Sequence, residues 1–596
     1  MKCLEYPFDS SYILKKKKAI RKELLNAPAA NFLEKRIAIL GGATTAEIKT
    51  ILELFLLHHG INPIFYESGF AAYYRDAVFS NEELDAFHPD IVYICTSRHN
   101  IEQMPSVSDS EKRAAVLLDE EYARFEGMWE SLENRFHCPI IQNNFELPSF
   151  RLLGNRDCSD LRGAVHFLSS LNMQLAAYAQ AHEDFFICDI NYLSACYGLD
   201  AWSEPSYWYL YKYALCVPAI PLLAHNIANI IKSIFGKNKK ALVLDLDNTL
   251  WGGVISDDGV EHIEIGPESA AGQRFQAFQK YISDHRRLGV MLAIASKNDY
   301  ANAVDGLNHP SGVLRPDDFV KVKANWEPKS QNILEIADEL HIFPESLVFV
   351  DDNPAEQCLV SEQVPGVAVP QMAETEDGIK ILDRSGFFEV TYLTADDAKR
   401  AAMYQENKVR EQMRIACGSY EEYLRSLEMT AVAVPFEDIY MARISQLVNK
   451  SNQFNLTTRR YTLTEIQEIA ENPQFITLYG VLRDRFGDNG LVTVLIGRQE
   501  GQTCCMELWL MSCRVLQRNL EYFMMDQLVA ECQKRTIQRI EGFYKKTAKN
   551  QMVAELYGKM GFTKIEEDES GNSRWEYIIP AQYTCKNTII RSEKEI

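Results

Sequence analysis

Side chains that could do chemistry follow three short apolar stretches in the middle of the chain. The stretches are ALVL, VMLAIA and LVFV, and the residues after them are Asp245 and Asp247, then Ser296, then Asp351 and Asp352. Lys329 lies between the last two groups. Short apolar runs of this kind are typical of buried parallel strands, whose carboxyl ends meet at one edge where ligands bind. The order of these residues therefore predicts one polar site at such an edge.

The residue types in this set favour phosphate chemistry. Several carboxylates in one cavity repel one another unless a cation joins them. Oxygen ligands without histidine suit Mg²⁺, which accepts a few carboxylates together with substrate phosphate. Lys329 and the Ser296 hydroxyl could hold the phosphoryl oxygens, and an aspartate can be the nucleophile in phosphoryl transfer. Each element alone is common in turns and caps, so the prediction depends on their order.

This pattern resembles the haloacid dehalogenase (HAD) superfamily. The four motifs of that superfamily match Asp245-Leu246-Asp247-Asn248-Thr249, Ser296, Lys329 and Asp351-Asp352. The resemblance implies that Asp245 is the nucleophile and Asp247 the general acid/base. It implies that Mg²⁺ is held by Asp245, the backbone carbonyl of Asp247, and Asp351 or Asp352, and it leaves the choice between the last two open. Candidate substrate contacts next to the motifs are Thr249, Lys297 and Asn298.

The spacing of the motifs limits what could cover this site. About 50 residues separate Asp245 from Ser296, and the segment from Ser296 to Lys329 is also short. Neither segment is long enough for a large cap domain. We therefore expect an open site, which favours a bulky or protein-borne substrate.

Three longer strings carry a closer resemblance. They are LDLDNTLWGGVISDDGVEHIEIG at 244–266, ASKND at 295–299 and VNKSNQFNLTTRRY at 448–461. Together they resemble the FkbH-like family of polyketide and related pathways. The resemblance implies that a glyceryl unit from the phosphoglyceryl donor 1,3-bisphosphoglycerate is dephosphorylated and loaded onto an acyl carrier protein. It also implies that the acyl unit passes through a protein thiol to the phosphopantetheine arm.

A candidate for that thiol lies in the C-terminal region, which resembles the GNAT acyltransferase fold. Cys513 ends an apolar strand beside Arg514, and a helix is predicted to start near Glu521. A neighbouring positive charge and a helix N-terminus both lower the pKa of a thiol. Cys504, Cys505 and Cys532 are weaker candidates, and a buried, inert Cys513 is the alternative. The glycine-rich turn of GNAT enzymes is missing from 515–519, which argues against ordinary acetyl-CoA binding.

Amide side chains cluster in the third string. Asn449, Asn452, Gln453 and Asn455 lie beside Arg459 and Arg460. Amides and guanidinium groups suit a phosphorylated acyl group or a phosphopantetheine arm. A hydrogen-bonded loop is the alternative interpretation.

The fold class we predict is a multidomain α/β protein. An SGNH-hydrolase-like parallel-sheet domain spans 1–232, a Rossmann-like HAD domain without a large cap spans 236–392, and a GNAT-like α/β domain spans 429–582. A helical connector, 393–428, joins the last two, and 583–596 is a polar, frayed tail. The turn at Gly41-Gly42 lacks the serine of SGNH hydrolases, so we expect no hydrolysis there. Asn100 and His225 could be remnants of hydrolase motifs but are better explained as structural.

Composition narrows the functional classes. The chain has 596 residues and a formal net charge of −21, which argues against broad nucleic-acid binding. Its 14 cysteines include no C-x-x-C pair, and polar residues interrupt the most apolar stretch, so we expect a reduced cytoplasmic protein without a membrane span. Two other functions stay open. One is a plain Mg²⁺-dependent phosphatase with non-catalytic flanking domains, and the other is a carrier-protein-binding scaffold.

Overall fold

The computed structural model describes residues 1–26, 32–372, 378–393, 410, 413–414, 416–451 and 453–593. It divides into two compact units, Met1–Lys237 with Glu389–Thr391, and Asn238–Phe388 with Tyr392–Ile596. Both units combine helices with sheets, and the two smaller sheets are parallel throughout, so the predicted α/β fold class is confirmed. Asn452 and most of the predicted connector lie outside the described residues.

The first unit is built on a five-stranded parallel sheet with the order β2-β1-β3-β4-β5. The strands are β1 Leu33–Gly41, β2 Ile61–Glu67, β3 Ile91–Cys95, β4 Ile140–Asn143 and β5 Phe185–Cys188. The α-helices are Ser10–Leu25, Ala46–His58, Tyr73–Val78, Glu82–Phe87, Glu111–Phe136, Ala164–Ala181, Ile190–Tyr197, Leu199–Trp202, Pro205–Tyr211 and Ile220–Ile234. Every residue of β3 is buried, as expected for a central parallel strand with both faces covered.

One stretch of this unit, Val217–Ile234, is long and apolar enough to cross a membrane by length and composition alone. Within the described residues it is the only such helix, and 78% of it is buried inside the protein. A core helix passes the same test, and the part Ile220–Ile234 packs against helix Ala46–His58.

Hydrogen bonds hold the turn after β1. The Asn100 amide donates to the carbonyl of Gly42 at 2.9 Å, and a Cβ atom at Gly42 would lie 2.4 Å from that amide. The backbone N–H of Thr44 donates to the carbonyl of Lys212, which follows helix Pro205–Tyr211. His225 is buried against Phe55 and bonds Asn229 at 3.1 Å. Asn100 and His225 therefore have structural roles in this unit.

The second unit contains a four-stranded parallel sheet with the order β8-β7-β6-β9. The strands are β6 Ala241–Leu244, β7 Met291–Ser296, β8 Lys321–Ala324 and β9 Leu347–Val350. The α-helices of this part are Ile255–Asp258, Ala270–Arg287, Tyr300–Leu307, Lys329–Glu339, Pro354–Gln363 and Gly378–Arg384. Apolar clusters cover both faces of the sheet. Neither segment between the predicted motifs forms a separate cap domain.

The same unit contains a larger, mostly antiparallel sheet with the order β16-β17-β15-β14-β13-β12-β10-β18, and β11 pairs with β14. The strands are β10 Thr430–Val434, β11 Phe454–Asn455, β12 Phe475–Asp484, β13 Gly487–Glu500, β14 Thr503–Met511, β15 Arg539–Tyr544, β16 Thr563–Glu567, β17 Ser573–Ile578 and β18 Arg591–Ser592. The helices are Tyr420–Ser426, Met441–Lys450, Leu463–Glu471, Leu520–Lys534 and Leu556–Lys559.

The chain end differs from the frayed tail that the sequence predicted. Strand β18 pairs in parallel with β10. The buried carboxylate of Asp526 accepts the hydroxyl of Tyr583 and the backbone N–H groups of Lys586 and Asn587. A buried carboxylate needs such donors, and here the tail supplies them. Residues up to Glu593 are therefore ordered by contacts that composition does not reveal.

Candidate active site

The predicted acids follow neighbouring strands. Asp245 comes directly after β6, Ser296 is the last residue of β7, and Asp351 comes directly after β9. Because β7, β6 and β9 are adjacent and parallel, their carboxyl ends meet at one edge. Oxygen atoms of Asp245, Asp351 and Asp352 lie within 4.8 Å of one another. The structure thus brings together the carboxylates of two predicted motifs.

Lys329 joins two of these carboxylates. Its ammonium group lies 2.8 Å from Oδ2 of Asp245 and 2.6 Å from Oδ2 of Asp351. Burial lowers the pKa of Lys329, but the two carboxylates raise it by more. The pKa of Lys329 therefore lies above its usual value. Burial, and then the charge of Asp245, raise the pKa of Asp351. Three carboxylates facing one ammonium group leave excess negative charge, which a divalent cation would neutralise.

The free carboxylate oxygens indicate where such a cation fits. Oδ1 of Asp245 is buried and has no hydrogen-bond partner among the described residues. Both oxygens of Asp351 are engaged, since Oδ2 meets Lys329 and Oδ1 accepts the backbone N–H of Asn353 at 2.8 Å. Among the described residues, the Asp352 carboxylate accepts one hydrogen bond, from the hydroxyl of Thr249 at 3.4 Å. The donor set fits Mg²⁺ and favours Asp352 over Asp351 as the direct ligand.

Asp247 is held by donors from three places. Its Oδ1 accepts the indole N–H of Trp251 at 2.9 Å and the backbone N–H of Ile255 at 3.1 Å. Its Oδ2 accepts the amide of Asn298 at 3.1 Å. Burial is the main cause that raises the pKa of Asp247, which favours the protonated form that a general acid needs. Asn298 was predicted to contact substrate, and in the structure its amide N–H donates to Asp247.

Thr249 and Lys297, the other predicted substrate contacts, bind other protein groups in the structure. The Thr249 hydroxyl is buried and accepts the backbone N–H of Asp352 at 3.2 Å, so it shapes the loop that carries Asp352. Lys297 is exposed and pairs with Glu356 at 2.6 Å. Sequence reasoning did not single out Trp251. The signal in the sequence is an aromatic N–H four residues after Asp247, within the string at 244–266.

Cys513 starts a three-residue 3₁₀ turn, Cys513–Val515, after β14. The helix predicted to follow begins at Leu520, seven residues later, and has Glu521 in its first turn. The predicted start of this helix near Glu521 is confirmed, and the effect of its N-terminus on the Cys513 thiol stays a prediction. Arg514 remains beside the thiol, with its Nε donating to Ser512 at 3.1 Å. Cys513 is partly exposed, whereas the rival thiols are buried: Cys504, Cys505 and Cys532.

Buried charges hold the turn that carries Cys513. The side chain of Asp484 is fully buried and binds Arg518 at 3.0 Å and Arg410 at 2.8 Å. The hydroxyl of Tyr420 donates to the carbonyl of Gln517. Gln517 and Asn519 both have φ of 63°, a left-handed conformation that usually favours glycine. The turn therefore keeps a glycine-like backbone shape without glycine.

Part of the amide cluster lies beside this turn. Phe454 pairs with Met511, so Gln453 lies next to the strand end that leads to Cys513. The amide oxygens of Gln453 and Asn449 are buried without a hydrogen-bond partner among the described residues. Asn455, by contrast, uses both ends of its amide within the loop: its N–H donates to the carbonyl of Ser451 and its oxygen accepts the backbone N–H of Thr458. Asn455 is a loop-holding residue, and Gln453 and Asn449 remain candidates for ligand contact.

Known proteins are similar to this chain in its N-terminal part and in the part that contains the central carboxylate cluster. Residues 36–232 match the family described as FkbH, N-terminal domain. A crystal structure of the N-terminal part of the protein BF1531 from Bacteroides fragilis, described as containing a phosphatase domain complexed with Mg, is 29% identical with a TM-score of 0.59. The match covers 63% of this chain and 99% of that one. No curated protein matches the chain.

The FkbH match lies outside the three strings that carried the FkbH-like resemblance, so it supports that resemblance independently. Two acetyltransferase structures match about a quarter of the chain. The ribosomal-protein-S18-alanine N-acetyltransferase of Escherichia coli covers 26% at 10% identity, and a GNAT-family acetyltransferase of Streptococcus pneumoniae covers 25% at 15% identity. Both have a TM-score of 0.21.

Proposed function

We propose that residues 238–388 form a Mg²⁺-dependent phosphotransfer domain that acts through Asp245. The observation that carries this proposal is the cluster of three carboxylates around Lys329, with Oδ1 of Asp245 buried and without a hydrogen-bond partner. The BF1531 structure, which is described as a phosphatase domain complexed with Mg, supports the choice of metal and reaction. Bound Mg²⁺ would supply positive charge against the phosphate and help to orient it.

The side chains divide the work. Asp245 attacks phosphorus through a carboxylate oxygen, so that a P–O bond to the aspartate forms as the bond to the leaving oxygen breaks. Asp247 gives its proton to the leaving oxygen and then takes a proton from the water that hydrolyses the aspartyl phosphate. Lys329 offsets the charge of the phosphoryl oxygens. Trp251 and Asn298 hold the Asp247 carboxylate through these steps.

We propose further that the whole chain loads a glyceryl unit from 1,3-bisphosphoglycerate onto an acyl carrier protein. The Cys513 thiolate attacks the acyl phosphate, so that a thioester forms and phosphate leaves. The remaining phosphate ester is hydrolysed through Asp245, and the thiol of the phosphopantetheine arm then takes the acyl group. The FkbH-like strings support the substrate and partner, and the partial exposure of Cys513 supports its role over the buried thiols.

Phosphate release tests the first proposal. We expect the purified protein to release inorganic phosphate from a phosphoacyl substrate with Mg²⁺ and to stop when EDTA is added. Asp245→Asn should abolish release while the protein keeps its far-ultraviolet circular dichroism spectrum. Release that persists in Asp245→Asn would contradict the proposal. Release without carrier loading would leave a plain phosphatase, and carrier binding without release would leave a scaffold.

A further inference from the structure

A buried glycine lies near the end of the helix that follows Asn298. Gly306 belongs to helix Tyr300–Leu307 and does not have a positive φ, so its backbone does not require glycine. Glycine inside a helix is less favourable than alanine. When the backbone gives no reason for it, a buried glycine in a helix indicates a neighbour that leaves no room for a side chain.

The neighbours of Gly306 are Trp251 and Ile255. A Cβ atom at position 306 would lie 2.7 Å from Cη2 and 2.9 Å from Cζ2 of the indole, and 2.9 Å from Cδ1 of Ile255. Carbon atoms that are not bonded pack at about 3.5–4.0 Å, so these atoms would have to move. The end of the Ile255 side chain can rotate away, but the indole is rigid and fully buried in an apolar cluster. A methyl group at position 306 would therefore displace the indole.

Both neighbours donate to the same oxygen of Asp247. Its Oδ1 accepts the indole N–H at 2.9 Å and the backbone N–H of Ile255 at 3.1 Å. Its Oδ2 accepts the amide of Asn298, which comes two residues before the helix begins. Since Cζ2 is two bonds from the indole nitrogen, a shift of that edge of the ring also moves the donor. The helix of Gly306 thus bears on the donors to both oxygens of Asp247.

We propose that Gly306 is a positioning residue for Asp247. Because it has no side chain, Trp251 can reach the carboxylate and hold it in the orientation that proton transfer requires. This inference rests on the proposed phosphotransfer function. It adds to the site a residue that has no polar side-chain atom and lies 59 positions after Asp247.

Kinetics with two aryl phosphates test the effect on proton transfer. Gly306→Ala should lower kcat about tenfold for phenyl phosphate, whose leaving oxygen is basic and needs a proton. It should lower kcat less than about threefold for 4-nitrophenyl phosphate, whose leaving oxygen is much less basic. KM should stay nearly unchanged for both, because a misplaced acid does not weaken binding. An equal fall for the two substrates, or a change confined to KM, would refute the positioning role.

A double variant tests whether the effect passes through Trp251. Trp251→Phe lacks both Cη2 and Cζ2, so adding Gly306→Ala to it should lower kcat for phenyl phosphate less than about twofold further. Two full effects that multiply would show that the residues act independently and would overturn the inference. If Gly306→Ala alone does not fold, recovery of folded protein in the double variant supports the contact, and no recovery overturns it.

The matched control is a glycine in a helix with free space around it. Gly127 lies within helix Glu111–Phe136, and a Cβ atom there would meet nothing within 4 Å. Gly127→Ala should leave kcat for both aryl phosphates unchanged. A loss in Gly127→Ala as large as that in Gly306→Ala would show that the effect is not specific to position 306.

Indole NMR separates this inference from the phosphatase proposal. The chain has seven tryptophans, and the indole N–H signal that is missing in Trp251→Phe identifies Trp251 in ¹⁵N-labelled protein. In the full chain with Mg²⁺, exchange of this proton with water should accelerate about tenfold in Gly306→Ala, while the other six signals do not change. If the unaltered protein releases no phosphate but this exchange accelerates, the phosphatase proposal fails and the positioning contact stands. Unchanged exchange at Trp251, or equal acceleration of all seven signals, would refute the contact.

Discussion

Two buried ion-pair clusters of opposite sign organise the second unit. In the phosphotransfer site, one cation, Lys329, joins the carboxylates of Asp245 and Asp351. Beneath the Cys513 turn, one carboxylate, Asp484, joins the guanidinium groups of Arg410 and Arg518. The first cluster keeps an unpartnered carboxylate oxygen and excess negative charge. The carboxylate of the second also accepts the backbone N–H groups that follow it in the chain.

We infer from this difference that the Lys329 cluster takes part in the chemistry and that the Asp484 cluster supports the backbone. A buried charge with an open coordination position is poised for a ligand, whereas a carboxylate surrounded by donors fixes a backbone shape. We therefore expect changes in the Lys329 cluster to act on phosphate release, and changes in the Asp484 cluster to act on the turn of Cys513.

Lys329→Met should have the largest effect. It removes the only described cation between Asp245 and Asp351, and it removes a donor to the phosphoryl oxygens. We expect kcat for phosphate release to fall about 1,000-fold, the upper end for loss of one such donor. Hydrogen exchange of residues 512–520 should not change. A fall of less than tenfold would show that the cluster is not the reacting site.

Asp484→Asn should disturb the other cluster. It leaves two buried guanidinium groups without their carboxylate, a loss of about 3 kcal/mol in comparable buried pairs. Amide hydrogen exchange of residues 512–520, followed by mass spectrometry, should accelerate about 100-fold. Phosphate release should stay within twofold of the unaltered protein. Unchanged exchange in this segment would mean that Asp484 does not hold the turn.

The two neighbouring aspartates should respond differently to substitution. Asp352→Asn removes the carboxylate proposed to hold Mg²⁺, so the Mg²⁺ concentration for half-maximal release should rise about tenfold or more. Asp351→Asn disturbs Lys329 instead, so kcat should fall with a smaller change in Mg²⁺ requirement. Titrating activity with Mg²⁺ in both variants gives the answer. A larger Mg²⁺ shift in Asp351→Asn would reverse the assignment.

Trp251→Phe should have the smallest effect of this group. The substitution keeps an aromatic ring in the core and removes one hydrogen bond to Asp247, while Asn298 and Ile255 keep theirs. We expect kcat to fall about tenfold with KM nearly unchanged, because a misplaced acid slows proton transfer without weakening binding. The slope of kcat against the leaving-group pKa should steepen for the same reason. A change confined to KM would assign Trp251 to substrate binding.

The sequence was informative where function depends on residues at strand ends. Asp245, Ser296 and Asp351 could be placed together because parallel neighbours align their carboxyl ends. It was less informative where function depends on contacts between distant segments. Nothing local indicates that Asp484 holds a turn some 30 residues later, or that the last residues add strand β18.

The helix after Cys513 could be predicted from the sequence, but the turn before it could not. A propensity pattern predicts that a helix is present, and the structure has Leu520–Lys534. The turn before it is shaped by the left-handed residues Gln517 and Asn519 and by the buried pair of Arg518 with Asp484, which no local pattern indicates. The effect of a helix N-terminus on a thiol depends on a distance that the pattern alone does not give.

The most direct test of the loading reaction is intact-protein mass spectrometry. Mg²⁺ and enzymatically generated 1,3-bisphosphoglycerate are added to the protein first alone and then with a phosphopantetheinylated carrier protein. We expect a glyceryl adduct that peptide mapping assigns to Cys513, that is absent in Cys513→Ser and present in Cys505→Ser, and that moves to the carrier. Phosphate release with no adduct on the protein and no loaded carrier would contradict the loading reaction and leave only the phosphatase.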